Sequence, residues 1–456
     1  MFKVIYLAGL LIMTLVGSTN AQKGFRIEGK LHNATPMRLI LAQHFGGELM
    51  PIDTAVVGVD GKVTWEDSQP LPAGMCRIIG IGRGLDIIAA DSQRFSFEAD
   101  MKDVISTIRF QNSAENNLFF DYQRQVRVRY QKALLFRQQN NIKDDNDPRW
   151  KTRFQELNEE VKQYVDSLYA QKPSSFVVRY LKSYQEPKQP VLPVKKLTSK
   201  DSLFLQSYSR VHYFENSFLS DERMVYTPTV PLRVNRFLKS LAQLPASDLI
   251  AIADHILLQT KGTVELKKYI VGKFAHESEL ATSPALDMLY DHIVTNYVEA
   301  EPKLWDASTL QKVKEIKEIK ARLSLHTPFP DLVLTNTVGQ EVSLKDIQSQ
   351  YTVVFFYDPS CSHCREQTPK LTALAKQYAQ KLKVFAVSLD SDENVWKKFI
   401  ADFQTDMFIN VRDVSKKIEF YKLGVYNYPT IYVLDQNKKM VARWINASQL
   451  ESYLLN

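Results

Sequence analysis

The sequence predicts a multidomain α+β protein with an N-terminal antiparallel β-sandwich-like domain, a central all-α region and a C-terminal α/β domain. Three observations lead there. Apolar residues recur with strand-like alternation up to about residue 110, with helical spacing to about residue 325, and in alternating strands and helices beyond it. The chain has 456 residues, which suits about three domains of roughly 150 residues each. Near the C-terminal end, the apolar run Val353-Val354-Phe355-Phe356-Tyr357 leads into Cys361-Ser362-His363-Cys364 at what reads as the start of a helix, a strand-to-helix junction of the kind that builds α/β layers.

The N-terminus has the outline of a signal peptide. Lys3 precedes an uninterrupted apolar stretch from Val4 to Val16, and Gly17-Ser18-Thr19-Asn20-Ala21 supplies small or polar residues. The apolar run is shorter than the about 20 residues a bilayer span needs, so the reading is residues 1–21 as a leader cleaved after Ala21. An exported domain this large, with 45% hydrophobic residues, can bury ordinary cores and needs no disulfide staples. Of its three cysteines, the single close pair therefore points to chemistry more than to stability. The net charge of +7 is modest for this length and comes partly from Lys and Arg on helical faces, which does not point to nucleic acid. No later segment is apolar and long enough for a membrane span.

Residues 22–110 read as the β-domain. Phe25-Arg26-Ile27-Glu28-Gly29-Lys30-Leu31 alternates, Met37–Leu41 follows, and Val59-Asp60-Gly61-Lys62-Val63 carries a tight-turn signal. Further runs are Met75–Ile79, Leu85–Ala89 and Arg94–Glu98, with Cys76 inside one of them as a small buried hydrophobe. Residues 111–325 read as helical. Phe154, Leu157, Val161, Tyr164, Val165 and Leu168 share one helical face, and Ser283-Pro284 starts a helix with Met288, Leu289, Ile293 and Tyr297 on its apolar side. The Pro-containing stretch Glu186–Pro193 is an exposed connection, and His212, His255, His276 and His292 lack metal-like spacing. Residues 326–456 form the C-terminal domain, with strands at Val384–Ser388, Met407–Val411, Ile431–Leu434 and Met440–Trp444, and helices at Val395–Phe403, near Ser415–Tyr421, and from Ser448.

At a helix start, open N–H groups and the helix dipole favour a thiolate. Cys361 is therefore the candidate entry nucleophile and Cys364, one turn on, the candidate resolving thiol. His363 lies between them, where charge or a hydrogen bond would stabilise the Cys361 thiolate. A zinc site would need two further ligands, and neither Cys76 nor His326 and His363 supply such a spacing. An inert structural disulfide is the other alternative.

These residues and their order resemble the thioredoxin fold, and more closely the TlpA/ResA-like, AhpC/TSA-related thiol-disulfide oxidoreductases. The resemblance covers about 130 residues and rests on Pro330-Asp331, the strand before the Cys361–Cys364 pair, Pro369, and Gly424-Val425 ahead of Tyr428-Pro429-Thr430. It implies a redox-active Cys361–Cys364 pair, a cis Pro429 facing it, and Tyr428-Pro429 as the backbone that holds substrate. It implies no cofactor and no metal. Two positions depart from the pattern: Phe355 stands where thioredoxin has a buried aspartate, and Gln367 where the ResA-like group has a glutamate. The proton relay to Cys364 is thus unassigned, with Glu366 adjacent but on another side of the helix and Asp358 or water left open. The upstream part, including Tyr213-Phe214-Glu215-Asn216 to Arg223, resembles multidomain exported thioredoxin-like proteins of the Bacteroidetes group.

The resulting expectation is an exported thiol-disulfide oxidoreductase of the periplasm or cell envelope. It would exchange disulfides with envelope proteins, with reduction slightly favoured over oxidation and a potential between roughly −270 and −120 mV. Its partners would be protein thiols and disulfides, with room for a membrane-bound redox partner. The alternative is an envelope interaction protein in which the redox domain is mainly structural.

Overall fold

A computed structural model describes residues 24–193, 198–240, 244–279, 284–389, 392–414 and 418–454. The signal-peptide reading, Ser283 and Ser415 fall outside the described residues. The chain divides into two compact units, Met1–Leu232 and Arg233–Asn456.

The first unit begins with eight strands: β1 (Arg26–His32), β2 (Arg38–Phe45), β3 (Glu48–Val56), β4 (Lys62–Glu66), β5 (Gly74–Ile79), β6 (Leu85–Ala89), β7 (Arg94–Asp100) and, after a single helical turn α1 (Val104–Thr107), β8 (Arg109–Gln111). They form two four-stranded sheets, ordered β4-β1-β7-β8 and β3-β2-β5-β6. Alternation puts Ile27, Leu31, Trp65, Phe95 and Phe97 inside, as a half-buried strand requires. Pairing is antiparallel except that β1 runs parallel to β7, which the long excursion of the chain through the other sheet permits. Strand β3 has no counterpart in the sequence reading. It contains Pro51, buries almost none of its side chains and lies at a sheet edge, where proline is tolerated and alternation is weak.

The helices of this unit are α2 (Ala114–Gln139), α3 (Pro148–Gln171), α4 (Phe176–Lys182) and α5 (Ser199–His212), and α6 (Thr229–Lys239) runs across the unit boundary. In α3, Leu157, Val165 and Leu168 are buried as their spacing predicts, while Phe154 is exposed and Trp150 takes the inner position one turn earlier. The Tyr213–Arg223 stretch folds around Asp221, whose carboxylate accepts from Arg179 at 2.9 Å and Arg223 at 2.6 Å.

The second unit continues with α7 (Ala246–Gln259), α8 (Glu265–Ser278), α9 (Pro284–Ile293) and α10 (Ala307–Arg322). Leu289 and Ile293 face inward, but Met288 is exposed and Tyr290 and Val294 are buried instead. A π turn, Val294–Glu299, follows α9 directly and moves the next inward position from Tyr297 to Val298.

A seven-stranded sheet completes the unit, with β9 (Val333–Asn336), β10 (Glu341–Ser343), β11 (Tyr351–Tyr357), β12 (Leu382–Ser388), β13 (Ile409–Arg412), β14 (Thr430–Asp435) and β15 (Met440–Ala442) in the order β10-β9-β13-β12-β11-β14-β15. Strands β11, β12 and β13 are parallel neighbours, and β14 adds to β11 antiparallel. Strand β11 is apolar from Val353 to Tyr357 because both faces are covered. Val353, Phe355 and Tyr357 pack with residues of α11 (Ser362–Gln377), α12 (Glu393–Phe403) and α13 (Ala447–Leu454). Val354 and Phe356 pack on the other face with Phe329, Tyr432, Trp444 and the end of α10.

Candidate functional site

Strand β11 ends at Tyr357, and a tight turn follows. The Asp358 carboxylate accepts from the Ser360 amide at 2.7 Å and from its hydroxyl at 2.6 Å, and the Asp358 carbonyl accepts from the Cys361 amide at 3.1 Å. This turn delivers Cys361 as the N-cap residue of α11, with no side chain capping the first turn. The open amides and the positive helix end are therefore directed at the Cys361 thiol. Cys361 is partly exposed, and its Sγ lies 3.6 Å from the Tyr428 carbonyl, toward which the thiol donates.

Cys364 is fully buried on the inner side of the same helix. Burial pushes its pKa up, and the neighbouring Cys361 thiol adds to this, while the Asp358 backbone works against it. The helix bond beneath it is reinforced by Thr368, whose hydroxyl donates to the Cys364 carbonyl at 2.7 Å. Both cysteines are free thiols. The arrangement makes one sulfur reachable and keeps the other protonated and protected behind it.

Tyr428, sixty-seven residues after the thiol its carbonyl faces, is joined to Pro429 by a cis peptide bond. The structure thus brings Cys361, Tyr428 and Pro429 together, with Cys364 one turn behind. His363 is exposed in the first turn of α11, and Pro369 lies inside the helix on its exposed side.

No carboxylate stands behind Cys364 among these residues. Phe355 is buried and stacks parallel to Tyr357 at 5.0 Å. Gln367 accepts from the Ala447 amide at 3.0 Å, tying α11 to α13. Glu366 is exposed and pairs with Lys370 at 3.6 Å. The buried polar group the sequence reading passed over is Tyr357, whose hydroxyl accepts from the Trp396 indole at 3.1 Å within the core that holds Cys364. Nothing in its apolar run distinguishes it from its neighbours. Cys76 is buried in β5, and burial, with the Asp86 charge, pushes its thiol up to about 12. Among the described residues no group of three or more His, Cys, Asp or Glu side chains is gathered to hold a metal ion.

The AhpC/TSA family model matches residues 325–443, the stretch that contains this site. Residues 325–443 are thus the part of the chain similar to the AhpC/TSA family. The AhpC/TSA domain is 25% identical over 139 residues to the thiol-disulfide oxidoreductase ResA of Bacillus cereus, covering 30% of this chain and 79% of that protein. It is 34% identical over 113 residues to the thioredoxin-like protein YneN of Bacillus subtilis, covering 24% of this chain and 63% of YneN. Among solved structures it is similar to a domain of a possible thiol-disulfide isomerase from Cytophaga hutchinsonii, at 35% identity and a TM-score of 0.28, covering 30% of this chain and 93% of that domain. The AhpC/TSA domain is a thioredoxin-like thiol-disulfide oxidoreductase.

Proposed function

We propose that the protein exchanges disulfides with other proteins of the cell envelope through Cys361 and Cys364. In the reducing direction, which this reading favours slightly, the Cys361 thiolate attacks a substrate disulfide. A Cys361–substrate bond forms, and the other substrate sulfur leaves as a thiolate and takes a proton. Cys364 then loses its proton and attacks the Cys361 sulfur. The Cys361–Cys364 disulfide forms, the second substrate thiol is released, and two electrons have passed to the substrate. His363 tunes the Cys361 thiolate, and Tyr428 and Pro429 present backbone to the substrate strand.

The observation that carries this reading is the partly exposed Cys361 thiol at an uncapped helix start, 3.6 Å from the carbonyl before Pro429, with Cys364 buried behind it. The buried, protonated Cys364 also accounts for the order of events, since only Cys361 is accessible to a protein substrate. In the same reading, residues 1–21 are a signal peptide, 22–110 a β-domain, 111–325 a helical domain and 326–456 the redox domain, and the protein works outside the cytoplasm. Among the described residues no helix is long and apolar enough to cross a membrane.

The test is mixed-disulfide trapping. A Cys364→Ser variant is expected to accumulate covalent complexes with envelope proteins, and Cys361→Ser to form none. Equal turnover of a disulfide substrate by both variants and the unaltered protein would overturn the mechanism.

A further inference from the structure

The helices ahead of the redox sheet reach the loop that carries Tyr428 and Pro429. Helix α10 buries Val313, Ile316 and Ile319 in sequence. Its end does not stop at the boundary of the domain: Leu323 is fully buried within the core on the Val354–Phe356 face of the sheet. Two contacts then connect this end to the short helical turn Phe420–Leu423 and to Gly424 just after it. The Arg322 guanidinium donates to the Lys422 carbonyl at 3.1 Å. Gly424, at φ +69°, is held so closely that a methyl group added there would lie 3.0 Å from Trp444 Cζ2 and 3.1 Å from Leu323 Cδ1.

The other side of this clamp is also fixed. The Trp444 indole donates to the Gly424 carbonyl at 3.1 Å. Arg443 stacks over Trp444 at 4.6 Å and donates to the carbonyls of Lys320 and Leu323 at 3.0 and 3.1 Å, which satisfies the end of α10. Its guanidinium also pairs with Asp287 of α9. A continuous set of contacts therefore runs from α9 and α10 to Gly424, a few residues ahead of the carbonyl that faces Cys361.

We propose that Leu323, with Arg322, is a positioning residue for the Gly424–Pro429 backbone, so that the helical segment 284–323 sets how well a peptide strand binds beside Cys361. The inference rests on Cys361 being the nucleophile and adds the element that holds its substrate platform. Displacing a binding platform by about 1 Å can cost up to ~100-fold in rate, so a loosened clamp is expected to show in peptide binding while leaving the thiol itself unchanged.

The experiment uses the full chain and two disulfides: insulin, which offers peptide backbone, with dithiothreitol as the reductant, and the dithiobis-nitrobenzoate reagent, which offers none, in a single turnover with the pre-reduced protein after dithiothreitol has been removed. Leu323→Ala is expected to raise KM for insulin about tenfold and to change the rate with the aromatic disulfide by less than about twofold. Leu323→Met, which conserves volume, is expected to restore insulin KM. Arg322→Ala, at the exposed side of the clamp, is expected to shift insulin KM in the same direction by about threefold. Unchanged insulin KM in both alanine variants, or equal losses on the two disulfides, would overturn the positioning role. Failure of the unaltered protein on both disulfides would instead overturn the nucleophile assignment.

Discussion

The Cys361 thiol faces the carbonyl of Tyr428 at 3.6 Å, so the accessible sulfur and the backbone before Pro429 form one surface. A strand laid along that backbone would carry its own disulfide to within reach of Cys361. Accessibility separates the cysteines sharply, since Cys76 and Cys364 are both fully buried. Iodoacetamide on the reduced protein at neutral pH is therefore expected to modify Cys361 at least about 100-fold faster than either. Peptide mapping by mass spectrometry checks it, and comparable labelling of Cys364 would contradict the geometry.

Cys364 also makes a pH prediction. Burial is the main cause that raises its folded-state pKa, with the adjacent Cys361 adding to it. A thiol raised in this way contributes stability that is complete below the unfolded value of about 8.5 and is lost as pH climbs toward the folded value. The reduced protein is expected to hold a constant urea-midpoint advantage over Cys364→Ala below about pH 8 and to lose part of it by about pH 10. A gap that stays constant across that range would count against the raised pKa.

Gly424 tests the loop itself. Its φ of +69° lies in the left-handed region, and the added methyl would crowd Trp444 and Leu323. Gly424→Ala is expected to destabilise the second unit by about 2 kcal/mol, from backbone strain of about 1 kcal/mol and the rest from crowding. Chemical denaturation of the reduced protein measures this. A change below about 0.5 kcal/mol would show that the segment yields freely, the opposite of a clamp.

What could be read from the chain depended on how local the signal was. The strand ending at Tyr357 and the Cys361–Cys364 helix were legible because a continuous apolar run, a turn and two cysteines stand within one short segment. Strand β3 was not, because its pattern is masked by Pro51 and by exposure at an edge. The inward position after α9 was misjudged at Tyr297, with Val298 buried in its place, because a π turn changes the helical phase without a marked residue. The contact between Arg322 and Lys422 joins residues 100 apart, and neither carries a motif. Only the tertiary fold brings the end of α10 against the segment that leads to Tyr428 and Pro429.

Asp86 provides a test in the first unit. Its carboxylate accepts from Arg77 Nε and Nη2, each at 2.7 Å, and is 3.1 Å from His44 Nε2. Burial alone would raise its pKa, but hydrogen bonds from His44 and then Arg77 outweigh it and hold the group below the usual carboxylate range. A depressed carboxylate contributes stability that is present above its unfolded value near 3.9 and is lost as pH falls through the folded value. Asp86→Asn leaves Arg77 without its bidentate partner at the surface of the β5–β6 pair, and is expected to cost about 2 kcal/mol at pH 7, less than a fully buried pair would. Below about pH 3 the unaltered protein protonates the same group, so the difference between the two should shrink. Urea denaturation at the two pH values, followed by amide hydrogen exchange of β5 and β6, decides it: an equal gap at both would mean that packing, not charge, makes the Asp86 contribution.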